Sequence, residues 1–159
     1  MARPPRLTED QRLLWKAYRD LYRELSVRLE AQLLADAGLS TSEYALLVPL
    51  SHAPDGLVRA RELGTELGWD RSRLSHLVTR MEKRGLVARE ECSEDARGSM
   101  VRLTEAGRAA VDGAAPEHSE AVRRYFFNPL SSDELETLAG VLHHLLDNLE
   151  RDERDRLVE

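Results

Sequence analysis

Between Arg71 and Arg89 the chain carries Arg71, Arg73, Arg80, Lys83, Arg84 and Arg89 against a single acid, Glu82. Cations at this density suit a polyanion. They donate to phosphate oxygens and, through the planar fork of arginine, to the N7 and O6 acceptors of guanine. The rest of the chain is acidic, with a net charge of −6 over 159 residues. Residues 59–108 hold 11 basic and 9 acidic side chains, whereas residues 1–58 hold 7 and 8 and residues 109–159 hold 5 and 12. The pattern is a local basic patch on an acidic body, which implies one docking face for an anionic partner.

The same stretch is amphipathic when wound as a helix. At roughly 100° per residue, Leu74, Leu77, Val78 and Met81 fall on one side and Ser72, Ser75, His76, Thr79 and Lys83 on the other. Short hydroxyl side chains let a helix approach a major groove closely, while Arg and His supply donors to base edges and phosphates. Arg71, near the helix start, is placed for base edges, and Arg73 and Arg80 sit on the flank where phosphates would run. A plain solvated helix face is the alternative reading of these residues.

A second candidate lies in "CSEDARGSMVRLT", residues 92–104. Arg97 follows Asp95 by two residues at the tip of an expected hairpin, where a guanidinium can enter a narrow, electronegative minor groove. Asp95 would orient it by pairing with it and accepting loop backbone donors. A surface ion pair of little consequence is the alternative. Arg102, on the returning strand, is counted with the wing residues and is expected to meet the DNA backbone or solvent.

Other chemistry is thin. His143 and His144 are adjacent and so point about 100° apart on a helix, unlike the i, i+4 pair that chelates a metal, and His52, His76 and His118 are isolated. No metal site and no cofactor is expected. No glycine-rich phosphate loop, Ser/His/Asp order or paired acid set stands out, so no catalytic residue is assigned and the chain is not expected to be an enzyme. The single cysteine, Cys92, has Glu90, Glu91, Glu94 and Asp95 as neighbours. These disfavour its thiolate, which makes it a passenger more than an oxidant sensor. No apolar run approaches the roughly 18 residues of a membrane span, and the N-terminus lacks a signal-peptide core. The expected location is cytoplasmic, with no membrane partner.

The elements that must position these residues are mostly helical. A long amphipathic helix is expected from Thr8 to about Ala37, with Leu14, Tyr18, Leu21, Leu25, Leu29 and Leu33 as its stripe and Gly38 as its stop. Ser40 and Glu43 form a capping box for a second helix reaching about His52, which Pro49 is expected to bend or shorten. "APDG" is a turn and "LVR" a very short strand. A third helix covers 60–67, stopped by Gly68. A fourth, capped by Asp70, runs from Arg71 to about Arg84, stopped by Gly85. "LVAREE" and "SMVRL" then read as a hairpin. Thr104 opens a helical region that Pro116 is expected to kink. A last helix, capped by Ser132, is expected to run to roughly Asp152, with Leu135, Leu138, Leu142, Leu145 and Leu149 spaced three, four, three, four.

Helix, glycine turn, helix and two-stranded hairpin is the order of a winged helix-turn-helix. The fold class is therefore mainly α with a small β-hairpin wing, formally α+β. The segment "LGWDRSRLSHLVTRMEKRGLVAREECSEDARGSMVRLTEAG" resembles the core of the MarR family of bacterial transcriptional regulators. It matches that family's recognition helix, its helix-ending "RGLV", its Asp-x-Arg wing motif and the following Leu-Thr-x-x-Gly. The likeness extends over nearly the whole chain, because the flanking long helices also follow the family's layout; Pro49 and Trp69 are local peculiarities. The resemblance implies a dimer on a near-palindromic operator in double-stranded DNA, usually repressing, and often released by a small aromatic acid or an oxidant.

Two leucine seams, one in the first helix and one in the last, would stay exposed if the winged domain stood alone, and a symmetric homodimer would bury them. An intramolecular bundle is the alternative. The expected division is residues 1–37 as an N-terminal dimerisation helix, 38–107 as the winged DNA-binding domain and 108–159 as C-terminal dimerisation helices. A small-molecule effector pocket is expected where the long helices meet the winged domain, lined by Trp15, Tyr18 and Tyr44. A winged module used only for protein association is the competing function. It would need neither an arginine at the wing tip nor a short polar face on the fourth helix.

Overall fold

The computed structural model describes residues 6–91 and 99–158. Six α-helices, α1 (Glu9–Ala37), α2 (Thr41–His52), α3 (Ala60–Leu67), α4 (Arg71–Lys83), α5 (Glu105–Val122) and α6 (Ser132–Val158), accompany three strands, β1 (Leu57–Arg59), β2 (Val87–Glu91) and β3 (Ser99–Leu103). The strands form one antiparallel sheet in the order β1-β3-β2, with Val101 of β3 opposite Val58 on one side and Arg89 on the other. This is a winged helix-turn-helix, as expected. The expected hairpin is β2–β3, and "LVR", read only as a short strand, closes the sheet on the far edge of β3.

The chain divides into two compact units, Met1–Ala121 and Val122–Glu159. In the first, several helix ends fall where the sequence offers a substitute for the missing backbone partners. Thr8 and Gln11 make a reciprocal capping box for α1, and Ser40 and Glu43 make another for α2. Gly38 and Gly68, both at φ +62°, end α1 and α3 in the left-handed conformation that side chains resist. Pro49 lies in the last turn of α2 without stopping it short of His52, because its missing N–H removes only one bond, close to the helix end. Pro116 is spanned by α5, which continues to Val122.

The core joins α1 to the winged elements. Leu33, from the C-terminal part of α1, is fully buried with Leu39, Leu46, Leu47 and Leu50 around α2, Leu63 of α3 and Met81 of α4. Leu86, Val87, Val101 and Leu103 bring the sheet into the same cluster, and Val111 and Ala114 bring α5. Gly107 permits the closest approach. A Cβ there would lie 2.0 Å from the Leu86 carbonyl oxygen and 2.8 Å from Leu103 Cδ1. The backbone of α5 thus rests directly on the end of β3 and the turn before β2.

In the second unit a π-helical turn, Arg123–Phe127, precedes α6. Its N-cap is Ser131, not the expected Ser132. The Ser131 hydroxyl and backbone N–H both donate to the Glu134 carboxylate, at 2.8 Å each, and the Glu134 N–H returns a bond to the Ser131 hydroxyl. The helix also outruns its expected end at Asp152, reaching Val158. No glycine or proline interrupts "LERDERDRLV", and side chains such as Arg156 to Asp152 pair along it. Among the described residues no helix is long and apolar enough to cross a membrane, and no cluster of three metal-ligating side chains occurs.

Candidate nucleic-acid interface

The basic face is carried by α4, the second helix of the helix-turn-helix. Leu74, Leu77, Val78 and Met81 are buried, while Arg71, Ser72, Arg73, Ser75, His76, Arg80 and Lys83 are exposed and Thr79 is half-buried. The burial follows the period of the sequence, so the core side of the helix dictates which side chains remain outside. Asp70 caps the helix by accepting from the Arg73 backbone N–H at 2.9 Å, and that bond holds its carboxyl below the usual aspartate range. Between α3, α4 and the sheet opens a groove of about 1190 Å³. Arg59, Arg61, Arg71 and Arg89 stand on its lining with Trp69, Ser75 and Ser99.

Two of the hydroxyl side chains have partners inside the protein. Arg89 of β2 reaches across to α4 and donates to the Ser75 carbonyl at 2.9 Å, the Ser75 hydroxyl at 3.4 Å and the Thr79 hydroxyl at 3.0 Å. Its other terminal nitrogen pairs with Glu82, and its backbone N–H donates to the same carboxylate at 2.9 Å. Arg89 is therefore a strut tying β2 to α4. Sequence reasoning counted it in the basic patch without giving it this role. The available signal was Glu82, a lone acid among six cations, which needed a partner.

Arg102 is also tied down. It forms a two-pronged ion pair with Glu90 on the adjacent strand and donates to the Asp55 carbonyl at 3.1 Å. The hydrogen bond from Arg102 holds the Glu90 carboxyl below its ordinary value. Asp55 sits at φ +57°, in the left-handed region aspartate tolerates, which turns its carbonyl toward this guanidinium. Sequence reasoning placed Arg102 with the wing residues that face DNA or solvent; it did not foresee these partners inside the protein. Asp95, Arg97 and Cys92 lie outside the described residues.

At the far end of α4, Arg84 donates to Glu43 at 2.7 Å and to the Gly38 carbonyl at 2.9 Å. The end of α4 is thereby linked to the junction of α1 and α2. Of the three aromatic residues expected to line an effector pocket, Trp15 and Tyr18 stack on each other at 5.3 Å and are more than half exposed on α1. Tyr44 pairs elsewhere, with His118 of α5 at 4.6 Å, and His118 bonds Gln32 of α1 at 3.0 Å. Trp69, noted in the sequence only as a peculiarity, carries the Arg73 guanidinium over its ring at 4.5 Å.

A family model described as the MarR family matches residues 37–98. The chain is similar to the crystal structure of Sco3205, a MarR family transcriptional regulator from Streptomyces coelicolor, in complex with DNA. The identity is 36%, the TM-score is 0.87, and the match covers 94% of this chain and 93% of that one. It is similar also to AbsC, a MarR family transcriptional regulator from the same organism, at 35% identity and a TM-score of 0.86, covering 92% of this chain and 98% of that one. Among curated sequences, the transcriptional repressor MprA of Escherichia coli strain K12 is 25% identical over 80% of this chain and 72% of its own length.

Proposed function

The chain belongs to the MarR family of transcriptional regulators, DNA-binding proteins and not enzymes, and from that premise we propose that it acts as a homodimeric repressor on a near-palindromic operator. The observation that carries this reading is α4, whose apolar side is sealed in the core while Arg71, Ser72, His76, Arg80 and Lys83 face outward together. In this reading Arg71 and His76 contact base edges, Arg73, Arg80 and Lys83 contact phosphates, and Asp95 orients Arg97 toward the minor groove. Ser75 and Thr79 act with Arg89 to hold the helix against the wing. Two copies related by a twofold axis would set two such helices roughly 34 Å apart, one turn of DNA.

We infer further that a small aromatic effector releases the DNA, bound near the aromatic side chains of α1 and α2, and that the protein works in the cytoplasm beside its operator. Support for a signal path is the Arg84 link, which ties the C-terminal end of α4 to the α1–α2 junction.

A gel shift against the duplex flanking its own gene, with a scrambled duplex of equal length as control, tests the central reading. Retention of the flanking duplex alone, weakening steeply as salt rises, is the expected result. Equal retention of both duplexes, or of neither, would remove the operator-binding function and favour a winged module for protein association.

A further inference from the structure

We propose that Trp69 is a positioning residue for DNA binding: its indole face is the platform that aims the Arg73 guanidinium at a phosphate. The proposal deepens the operator-binding reading and rests on it. Arg73 is exposed in the first turn of the recognition helix, and its guanidinium lies 4.5 Å above the Trp69 ring. Stacking uses the flat face of a guanidinium and leaves its in-plane N–H donors along the edge, the geometry in which arginine grips a phosphate in two-pronged fashion. A free arginine would give up many rotamers on meeting DNA; one already stacked gives up fewer.

The platform itself is held. The Trp69 backbone N–H donates to the Gly64 carbonyl at 2.9 Å, its ring packs against the core, and it borders the basic groove beside Arg71. Gly64 makes room for this turn, since a Cβ there would come within 3.2 Å of the Trp69 carbonyl oxygen. Asp70, the neighbouring carboxylate, is near enough to feel the Arg73 charge but is occupied as the helix cap. Trp69 also stands one residue before the cap, with Leu74 four helical residues in, the spacing of a hydrophobic staple that sets the entry angle of the chain. The ring thus belongs on one side to the turn and on the other to the arginine.

The test is fluorescence anisotropy with a duplex selected from a random pool by the parent protein, measured across a salt series, with thermal unfolding of each variant beside it. Arg73→Gln is expected to flatten the slope of log affinity against log salt by about one per protomer, as one phosphate contact is lost. Trp69→Leu is expected to weaken binding roughly 5- to 30-fold per dimer, from the loss of one stack in each protomer. It should leave the salt slope near the parent's, because the arginine still reaches its phosphate. Trp69→Phe, which keeps an aromatic face, should recover most of that loss. In the Arg73→Gln background, Trp69→Leu should cost almost nothing more. Arg73→Lys, which leaves the turn untouched, should keep the salt slope and lose affinity, and it reads out the stack even where Trp69→Leu unfolds. Trp69→Leu costing as much in the Arg73→Gln background as in the parent, or Arg73→Lys binding like the parent, overturns the positioning role while operator binding survives. A parent that selects no duplex instead removes the operator-binding reading itself.

Discussion

Glu43 is a carboxylate with only 7% of its surface exposed, and three donors allow it to keep its charge there. Burial pushes its pKa up, but the Ser40 backbone N–H, the Arg84 guanidinium and the Ser40 hydroxyl together bring it below the ordinary glutamate value. A group depressed in this way stabilises the fold fully above its unfolded pKa of about 4.3, and that stability is lost as pH falls through the lower folded value. Glu43→Ala is therefore expected to cost about 1 to 3 kcal/mol near neutral pH, discounted because Arg84 is partly exposed, and to flatten stability against pH below about 4.3. Urea unfolding over a pH series checks both. His118 gives a second slope at a different pH. Burial lowers its pKa, so the fold keeps its stability above the unfolded value of about 6.5 and loses some as pH falls below it. His118→Phe should remove the loss between pH 6.5 and the lower folded value, and an unchanged pH profile would deny the residue that role. Half of the Glu43 arrangement was legible in the sequence, since Ser40 and Glu43 stand at capping-box spacing. The other half was not, because Arg84 is 41 residues away and only the packed fold brings it near.

Elements were legible wherever a local rule decides them and obscure where contact between distant segments does. The stops at Gly38 and Gly68 and the cap at Asp70 were readable because each satisfies orphan backbone groups within a few residues. The N-cap of α6 was misread by one residue. Ser131 and Ser132 both qualify as caps, and the deciding partner, Glu134, stands three residues after Ser131. The partner of β1 could not be read, since three residues carry no register and β3 lies over 40 residues downstream. In α5 two glycines look alike in sequence and differ entirely in surroundings. Gly107→Ala would push a methyl group to 2.0 Å from the Leu86 carbonyl oxygen, so the end of α5 must move off the sheet, at an expected cost of about 3 kcal/mol or more. Gly113→Ala meets nothing within 4 Å and should stabilise by about 0.5 to 1 kcal/mol through better helix propensity. Chemical denaturation of the two variants beside the parent checks the pair. Equal effects would mean that the close approach at Gly107 is not part of the folded state.

For the whole molecule the decisive question is what covers α1 and α6. On α1, Leu14 is 73% exposed and Tyr22 67%, and on α6 Leu146 and Leu149 are 57% and 64% exposed. These are large apolar side chains repeated along two helices of 29 and 27 residues, more than isolated surface leucines, and water is a poor partner for them. The three-four spacing of the α6 leucines was readable in sequence and suits a helix seam. Its partner was not, because a chain's own sequence does not say whether a seam is filled from within or by a second copy. A second copy would meet two needs at once: it would remove both seams from water and, in the proposed function, supply the second α4 that a palindromic operator requires. The parent is thus expected to scatter light at about twice the 18.0 kDa of one chain. Leu142→Glu with Leu145→Glu, placing two carboxylates in the α6 seam, should halve that mass. The paired variant should keep the far-ultraviolet helix signal, because Leu142 and Leu145 lie outside the buried core of the first unit. Its affinity for a full operator should fall by roughly 10²- to 10⁴-fold, toward that of a single half-site, since the second contact is no longer made within one particle. A parent that scatters as a monomer at micromolar concentration, or a paired variant that remains dimeric with full operator affinity, would place the dimer interface elsewhere or remove it.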